Sequence, residues 1–239
     1  MLVTTKAIVL SSLKYGDTSL IVKVYTATDG LKSYLLKGVL SSKKGKLKAA
    51  YFQPLMQLEL TASHKNKGTL ESIREAKVIR PYKTLHTHII KNSLVLFLAE
   101  MLGNSIQEEQ QDISLYNYLQ CGLQWLDEND TIANFHLLFL LNLTKYLGFY
   151  PEENKTSFTY FDLLEGQFIN RPTLNPLIAK DQVLSFKRLL GINFDALLTL
   201  KITKANRESL LKSVILYFEL HLHGFRKPKS LAVLNAVFD

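Results

Sequence analysis

The chain has 239 residues, of which 47% are hydrophobic, with one cysteine and a formal net charge of +8. This apolar content excludes disorder along the whole chain, and a single cysteine excludes an internal disulfide or a thiolate-rich zinc site within one chain. The longest apolar runs, Leu94–Leu102 and Phe135–Leu143, are too short to cross a membrane. The first residues carry no secretory-signal pattern, so we expect a cytoplasmic protein without membrane contact.

The first eighty residues alternate as β-strands do. Turn residues such as Tyr15-Gly16-Asp17 and Thr28-Asp29-Gly30 separate short runs rich in β-branched and aromatic side chains. Five strands in so short a segment favour a closed OB-fold β-barrel, because closure removes exposed edges. The strands are predicted over Ala7–Leu13, Leu20–Tyr25, Leu31–Lys37, Leu55–Leu60 and Leu70–Ile79.

From Pro81 onward the apolar residues recur with a helical period. A β-hairpin near residues 156–170 interrupts the helices, and Asp130 is the predicted N-cap of the third. The helices are predicted over Tyr82–Gly103, Ile113–Leu126, Ile132–Leu147, Lys180–Leu190 and Lys204–Leu222. The sequence therefore predicts an α+β protein with two domains, an OB barrel over 1–80 and a mainly α-helical domain with a hairpin insert over 81–239.

The positive charge is concentrated at the front of the chain. Residues 1–83 carry a net charge of +10, whereas residues 84–239 carry −2. The densest run lies after the third strand, where Gly and Ser dilute five lysines: Lys37, Lys43, Lys44, Lys46 and Lys48. Lysine is a flexible point charge suited to phosphates at variable spacing, so this run indicates a polyanion site. A solvated connector is the alternative interpretation.

Strand alternation extends this predicted site onto the sheet. If Leu20 and Val22 point inward, Lys23 and Tyr25 point outward on the second strand, and Lys32 and Tyr34 point outward on the third. That face is the usual single-strand platform of OB folds, where aromatic rings stack on bases and cations follow phosphates. The alternative is that the helical domain covers the tyrosines.

The order of several short segments is similar to that of the RecO family of bacterial DNA repair and recombination mediators. Ala7-Ile8-Val9-Leu10, Tyr15-Gly16-Asp17, Lys37-Gly38-Val39 and Gln53-Pro54-Leu55 resemble its N-terminal domain. Tyr146-Leu147-Gly148-Phe149-Tyr150-Pro151 followed by a hairpin, and Lys229-Ser230 near the end, resemble its second domain. The resemblance spans essentially the whole chain.

The resemblance implies binding to single- and double-stranded DNA without sequence preference, annealing of complementary strands, and help in loading RecA onto strands coated with single-stranded DNA-binding protein. The implied partners are RecR and the C-terminal tail of single-stranded DNA-binding protein, at the bacterial nucleoid. The family's basic residues after strand three correspond to Lys37, Lys43, Lys44, Lys46 and Lys48. With Lys23, Lys32 and Tyr34 they form the predicted DNA-binding set, and no catalytic residue is implied.

The hairpin insert departs from the family pattern. Many relatives carry a four-cysteine zinc cluster there, whereas residues 151–176 of this chain contain no cysteine. Aromatic side chains occupy the stretch instead, at Phe158, Tyr160, Phe161 and Phe168. We therefore expect no zinc and no other cofactor.

Two further readings stay open from the sequence. OB folds also bind transfer and ribosomal RNA, and lysines cannot sense a 2′-hydroxyl, so an RNA-binding module is possible. The helical domain could instead be the main working part, docking an acidic, apolar tail in a groove rimmed by Lys145, Lys187, Arg188, Arg207 or Lys212. An enzyme is disfavoured because no motif places a nucleophile beside a base.

Overall fold

The computed structural model describes residues 1–41, 47–65, 70–152, 158–179 and 181–238. The chain forms two compact units, one comprising residues 1–127 and 228–239 and the other residues 128–227. The first unit contains a five-stranded sheet with three helices, and the second contains helices around a small three-stranded sheet. The boundary predicted at residue 80 marks a change of pattern in the sequence, whereas these two units are defined by compactness. The predicted boundary therefore stays a prediction.

The five-stranded sheet is antiparallel with strand order β3-β2-β1-β4-β5. β1 is the longest strand and pairs with both β2 and β4. A register shift between Val9 and Ser11 separates the part of β1 shared by both partners from the part that pairs with β2 alone. The strands are β1 Leu2–Tyr15, β2 Ser19–Thr26, β3 Gly30–Leu36, β4 Gln57–Ser63 and β5 Ser72–Val78. All five predicted strands are confirmed.

The prediction of a closed barrel is wrong. Among the described residues, the two edges of the sheet are paired at one isolated parallel bridge, between Tyr34 of β3 and Glu71 just before β5. Glu71 accepts a backbone hydrogen bond from Leu35 at 2.9 Å and donates one to Ser33 at 2.9 Å. A closed barrel needs a continuous ladder between its edge strands. Here Glu71 is the one described residue ahead of β5 that pairs with β3. The sheet is therefore open, although its two edges are in contact.

The interior of the sheet is packed with aliphatic side chains from every strand. A short 3₁₀ helix, Ala49–Phe52, adds Phe52 to this core, which is fully buried. The core comprises Ala7, Val9, Leu20, Val22, Val24, Tyr34, Leu36, Val39, Phe52, Leu58, Leu60, Ala62 and Ile73. Burial of this apolar surface is the main favourable term holding the first unit together.

The α-helices lie where the helical period predicts them, but most of their ends differ from those predicted. Asp130 is not an N-cap, because α3 begins only after Asn134. A last helix, α6, was not predicted. The helices are α1 Ile89–Ser105, α2 Ile113–Glu128, α3 Phe135–Tyr146, α4 Asp181–Leu189, α5 Lys204–His221 and α6 Leu231–Phe238. Within the described residues, no helix combines the length and apolarity that a membrane crossing requires.

The first helix starts seven residues later than predicted because Asp127 holds the chain ahead of it. The carboxylate of Asp127 accepts hydrogen bonds from the backbone N–H groups of Lys83, Thr84 and Leu85 at 2.8–3.1 Å. Burial opposes the charged form, but these bonds and that from the Thr84 hydroxyl lower the pKa of Asp127. Lys91 is buried beside them and donates to Thr84 Oγ1 at 2.8 Å and to the Asp127 carbonyl at 3.0 Å.

The predicted hairpin insert is confirmed and is part of a three-stranded sheet. β6 Tyr160–Asp162 pairs with β7 Gln167–Ile169 on one side and with β8 Leu177–Ile178 on the other. Asp162 closes the turn, since its carboxylate accepts from the backbone N–H groups of Leu164 and Glu165 at 3.0 and 3.1 Å. The core around these short strands contains packed aromatic side chains.

Candidate nucleic-acid interface

The register between β2 and β3 decides which side chains face the core. Tyr34 lies opposite Val22, and Lys32 lies opposite Val24. Cross-strand partners point to the same side of a sheet, so Tyr34 and Lys32 share the side of the inward-facing valines. The predicted orientation of β2 is confirmed, whereas the predicted orientation of β3 is wrong by one residue. A shift of one residue reverses every side chain of a strand.

Tyr34 is a core residue and cannot serve as an open stacking platform. Its side chain is fully buried, and its hydroxyl lies 2.6 Å from His64 Nε2. Burial and the neighbouring Asp29 and Glu71 raise the pKa of the Tyr34 phenol, which keeps it neutral. Stacking a base on this ring would require opening the sheet. We therefore exclude Tyr34 from the candidate DNA-binding residues.

Lys23 and Tyr25 do point outward, but other parts of the first unit cover them. Lys23 Nζ donates to the carbonyl of Gly103 near the end of α1 at 2.7 Å, and burial lowers the pKa of this amine. Tyr25 is 1% exposed, and its hydroxyl donates to the carbonyl of Asp112 at 3.2 Å. In the alternative interpretation the helical domain covers the tyrosines, and Tyr25 is indeed covered, by a segment between two helices of that predicted domain.

The covering segment is the acidic linker, residues 106–112, which joins α1 to α2. It carries Glu108, Glu109 and Asp112. Lys32 is buried and forms an ion pair with Glu109, with 3.1 Å between Nζ and Oε2. The backbone N–H of Leu31 donates to the carbonyl of Glu108 at 3.2 Å. Lys32 is thus engaged by a carboxylate of its own chain.

Two exposed lysines lie at the opposite end of β2 and β3: Lys14, near the end of β1, and Lys37, directly after β3. The backbone joins these two segments, because Leu40 N–H donates to the Thr18 carbonyl at 2.9 Å and Gly38 N–H donates to Ser19 Oγ at 3.4 Å. We use the name basic end for Lys14 and Lys37 together with Lys48, which is also exposed and precedes the 3₁₀ helix. Lys43, Lys44 and Lys46 lie between Lys37 and Lys48 in sequence but outside the described residues.

Charges on the far side of the sheet are partly offset instead. Lys6 of β1 lies opposite Glu59 of β4, and Glu59 lies opposite Lys77 of β5. All three are exposed. Opposite charges on neighbouring strands attract one another and weaken the field that a phosphate would feel. The basic end is therefore the better surface for a polyanion.

Sequence reasoning missed Lys14 because it ended the first strand at Leu13. The strand continues to Tyr15 and pairs with β2 up to Ser19. The available signal was the turn Gly16-Asp17-Thr18, which leaves the preceding residues free to extend the hairpin. In the described part of the chain, no group of three or more His, Cys, Asp and Glu side chains could hold a metal ion.

The chain thus contains an open OB-like sheet with a basic end, followed in sequence by a helical segment with a small sheet. The sequence matches two family profiles, Recombination protein O N terminal over residues 1–82 and Recombination protein O C terminal over residues 86–232. Together they span most of the chain.

Curated relatives agree with these matches over their full length. A protein of Christiangramia forsetii is 52% identical over 238 residues, one of Flavobacterium psychrophilum is 47% identical over 239, and one of Porphyromonas gingivalis is 31% identical over 247. In each case 100% of both chains is covered, and each relative is named DNA repair protein RecO. The chain belongs to the RecO family of DNA repair proteins.

Alanine substitutions at two glycines test whether the acidic linker is packed against the sheet. Gly30 and Gly16 have nearly the same backbone conformation, with φ of +61° and +59°. A Cβ at Gly30 would lie 2.3 Å from the carbonyl oxygen of Gln110, whereas a Cβ at Gly16 would meet nothing within 4 Å. We expect Gly16→Ala to cost about 1–2 kcal/mol of unfolding free energy, and Gly30→Ala a further ~1–3 kcal/mol.

Urea unfolding measures both costs, and hydrogen exchange of residues 106–112 reports the linker directly. Faster exchange in Gly30→Ala but not in Gly16→Ala is the expected result. Equal destabilisation with unchanged exchange in both variants would contradict the packing of the linker on Gly30.

Proposed function

We propose that this protein is a recombination mediator that binds single- and double-stranded DNA without sequence preference. In this role it anneals complementary strands and helps RecA load onto strands coated with single-stranded DNA-binding protein, in contact with RecR. Membership of the RecO family supports the role, and relatives named for DNA repair favour DNA over RNA. The work is non-covalent, so no residue is assigned to catalysis, and it takes place at the bacterial nucleoid.

The observation that carries the proposal is the position of the exposed lysines. Lys14 and Lys37 are exposed at one end of the sheet, and Lys43, Lys44, Lys46 and the exposed Lys48 follow Lys37 in the sequence, while Lys6 and Lys77 face Glu59. A cluster of lysines attracts phosphates by charge and releases counterions, without reading bases. Such a surface also reduces the repulsion between two strands, which is what annealing requires. We assign DNA binding to the basic end together with Lys43, Lys44 and Lys46.

Two of the lysines predicted to bind DNA instead contact other groups of this chain. Lys23 donates to Gly103, and Lys32 is paired with Glu109. In the proposal Lys23 therefore anchors α1 and Lys32 anchors the linker, and removal of either lysine would affect DNA binding only through the packing of these segments.

The second unit offers a site for the acidic, apolar tail of single-stranded DNA-binding protein. A cleft of about 410 Å³ is lined by Arg188, Ile192, Ala196, Thr199, Leu200 and Lys201. Both of its cations are exposed. A second groove, of about 340 Å³ along α4, has Lys187 as its cation, but that amine donates to the Phe158 carbonyl at 2.6 Å. An apolar floor between two available cations suits such a tail, so we propose the first cleft.

We propose that the insert of the second unit folds without zinc. In the insert, where the resemblance to the family would imply thiolate ligands, Phe161 packs against Phe168 and Phe186, with ring centroids 5.0 and 4.7 Å away. All three rings are buried. The side chains of the insert do not fit a thiolate-bound metal, and aromatic packing supplies the stabilisation that a structural metal otherwise provides.

Affinity for single strands should depend steeply on salt. With about four phosphates neutralised, log affinity should fall against log salt with a slope near −3. The triple variant Lys43→Ala, Lys44→Ala, Lys46→Ala should reduce this slope by about 2, since each lost contact removes about 0.7. Titration of labelled oligonucleotides at several salt concentrations measures it. The control Lys6→Ala, Lys77→Ala should keep the steep slope; a flat response of the unaltered protein, or equal slopes for both variants, would refute the assignment.

The tail cleft should respond to loss of its two cations. Arg188→Ala with Lys201→Ala should weaken binding of the tail peptide to the full chain about tenfold, because two ion pairs with carboxylates are lost. Fluorescence anisotropy of a labelled peptide measures this. The matched control Lys145→Ala, Lys212→Ala removes the same charge elsewhere in the second unit. In strand annealing, the cleft variant should lose acceleration on coated strands and keep it on naked strands; a control variant with the same loss would exclude this cleft.

Removal of metal should leave the protein unchanged. A strong chelator should not shift the midpoint of thermal unfolding, and metal analysis should find less than one zinc per chain. Phe161→Ala, by contrast, should lower the unfolding free energy by about 3–5 kcal/mol, because it removes a buried ring. Stoichiometric zinc with a large shift on chelation would show that the insert is a metal site after all.

A further inference from the structure

One aromatic side chain stands apart from all others that the structure describes. The ring of Tyr15 is 56% exposed, whereas the other Phe, Tyr and Trp side chains whose burial is described, a set that does not include Phe238, are buried or half-buried. Leu13, two residues earlier on the same side of the strand, is 64% exposed. Folding leaves these two large apolar groups in water, although the chain buries its other described rings.

The two residues lie on the outward face of the sheet, beyond the part that the chain covers. Leu13 is opposite Ile21, and Ile21 is opposite Leu35, so one apolar row crosses three strands. Ile21 and Leu35 are half-buried. At the other end of this face, Lys23 and Tyr25 meet Gly103 and Asp112. The outward face of β1–β3 is therefore closed at one end and open at the other.

A cation lies beside the open end. Tyr15 pairs with Ser19, whose hydroxyl accepts from Gly38 N–H directly after Lys37, and Lys37 is exposed. Lys14 alternates with Leu13 and Tyr15 and lies opposite the inward-facing Leu20, so it belongs to the other side of the strand. Protein–protein interfaces are depleted of charge at their centres and extend over much larger apolar areas. A small apolar row with one open ring next to a lysine instead matches single-stranded nucleic acid, whose bases stack and whose phosphates follow cations.

We propose that Tyr15 and the row Leu13–Ile21–Leu35 form a stacking platform for unpaired bases of a single strand, with Lys37 on its phosphates. This inference rests on the proposed function and adds to it a means of telling single strands from duplexes. In a duplex the bases are stacked and paired with one another, so their faces cannot reach Tyr15. The duplex is then held by the lysines alone, and the single strand by lysines and ring together.

The test compares two ligands with the same phosphates, a thymidine oligonucleotide and an abasic strand of equal length. The full-length protein should bind the thymidine strand at least about fivefold tighter, since one stacked base contributes ~1–3 kcal/mol. Tyr15→Ala should bring this ratio close to one while leaving affinity for the abasic strand unchanged. Tyr15→Phe should keep the ratio, because the ring remains.

Leu174→Ala, which removes a fully exposed side chain of the second unit, is the matched control and should keep the ratio. A ratio unchanged in Tyr15→Ala, or equal losses for both strands, would overturn the platform. A Tyr15→Ala variant that keeps the ratio but loses acceleration on coated strands would overturn it in favour of a protein contact. Suppose the lysine triple variant loses affinity for both strands while Tyr15→Ala leaves the affinity ratio unchanged. The proposed function then stands and the platform alone fails. If the unaltered protein binds neither strand, both fail.

Discussion

The pairing of β2 with β3 is the constraint on which the arrangement of the first unit depends. In this register Tyr34 lies opposite Val22, which sends the ring into the core to meet His64. The same register turns Leu31 outward, where its backbone meets Glu108 of the acidic linker. Because side chains alternate with a period of two, no single residue of β3 could be reoriented without reversing all of them.

This register, together with the acidic linker, restricts where a ligand can bind. The linker brings its acids to the end of the sheet that holds Lys23, Lys32 and Tyr25, so the usual OB ligand face is occupied there by the chain itself. The extension of β1 to Tyr15 provides new surface at the other end. Lys14 and Lys37, which are both exposed, lie beside that extension. Positive charge and open apolar surface thus coincide at one place, although neither was placed there by the sequence pattern alone.

The two units use polar groups in similar ways to control their connections. In the first unit Asp127 accepts from three consecutive backbone N–H groups before α1, and in the second Asp162 accepts from two in the turn after β6. For both carboxylates, burial opposes the charged form, but hydrogen bonds prevail and lower the pKa. A charged hydrogen-bond acceptor of this kind satisfies backbone donors that would otherwise be costly to bury. Aromatic packing around Phe161 then fills the insert.

The sequence by itself determined the strands, the helical second part, the hairpin insert, the concentration of positive charge in residues 1–83, and the resemblance to the family. These follow from local periodicity, turn residues and residue order, which need no partner segment to be read. The tertiary structure decided the orientation of β3, because both of its faces are apolar and alternation alone cannot choose between them. It also decided the late start of α1, set by Asp127 from 42–44 residues away. The open edge at Glu71 and the cover over Tyr25 depend equally on segments distant in sequence, and such non-local pairings carry no signal in the residues of either segment taken alone.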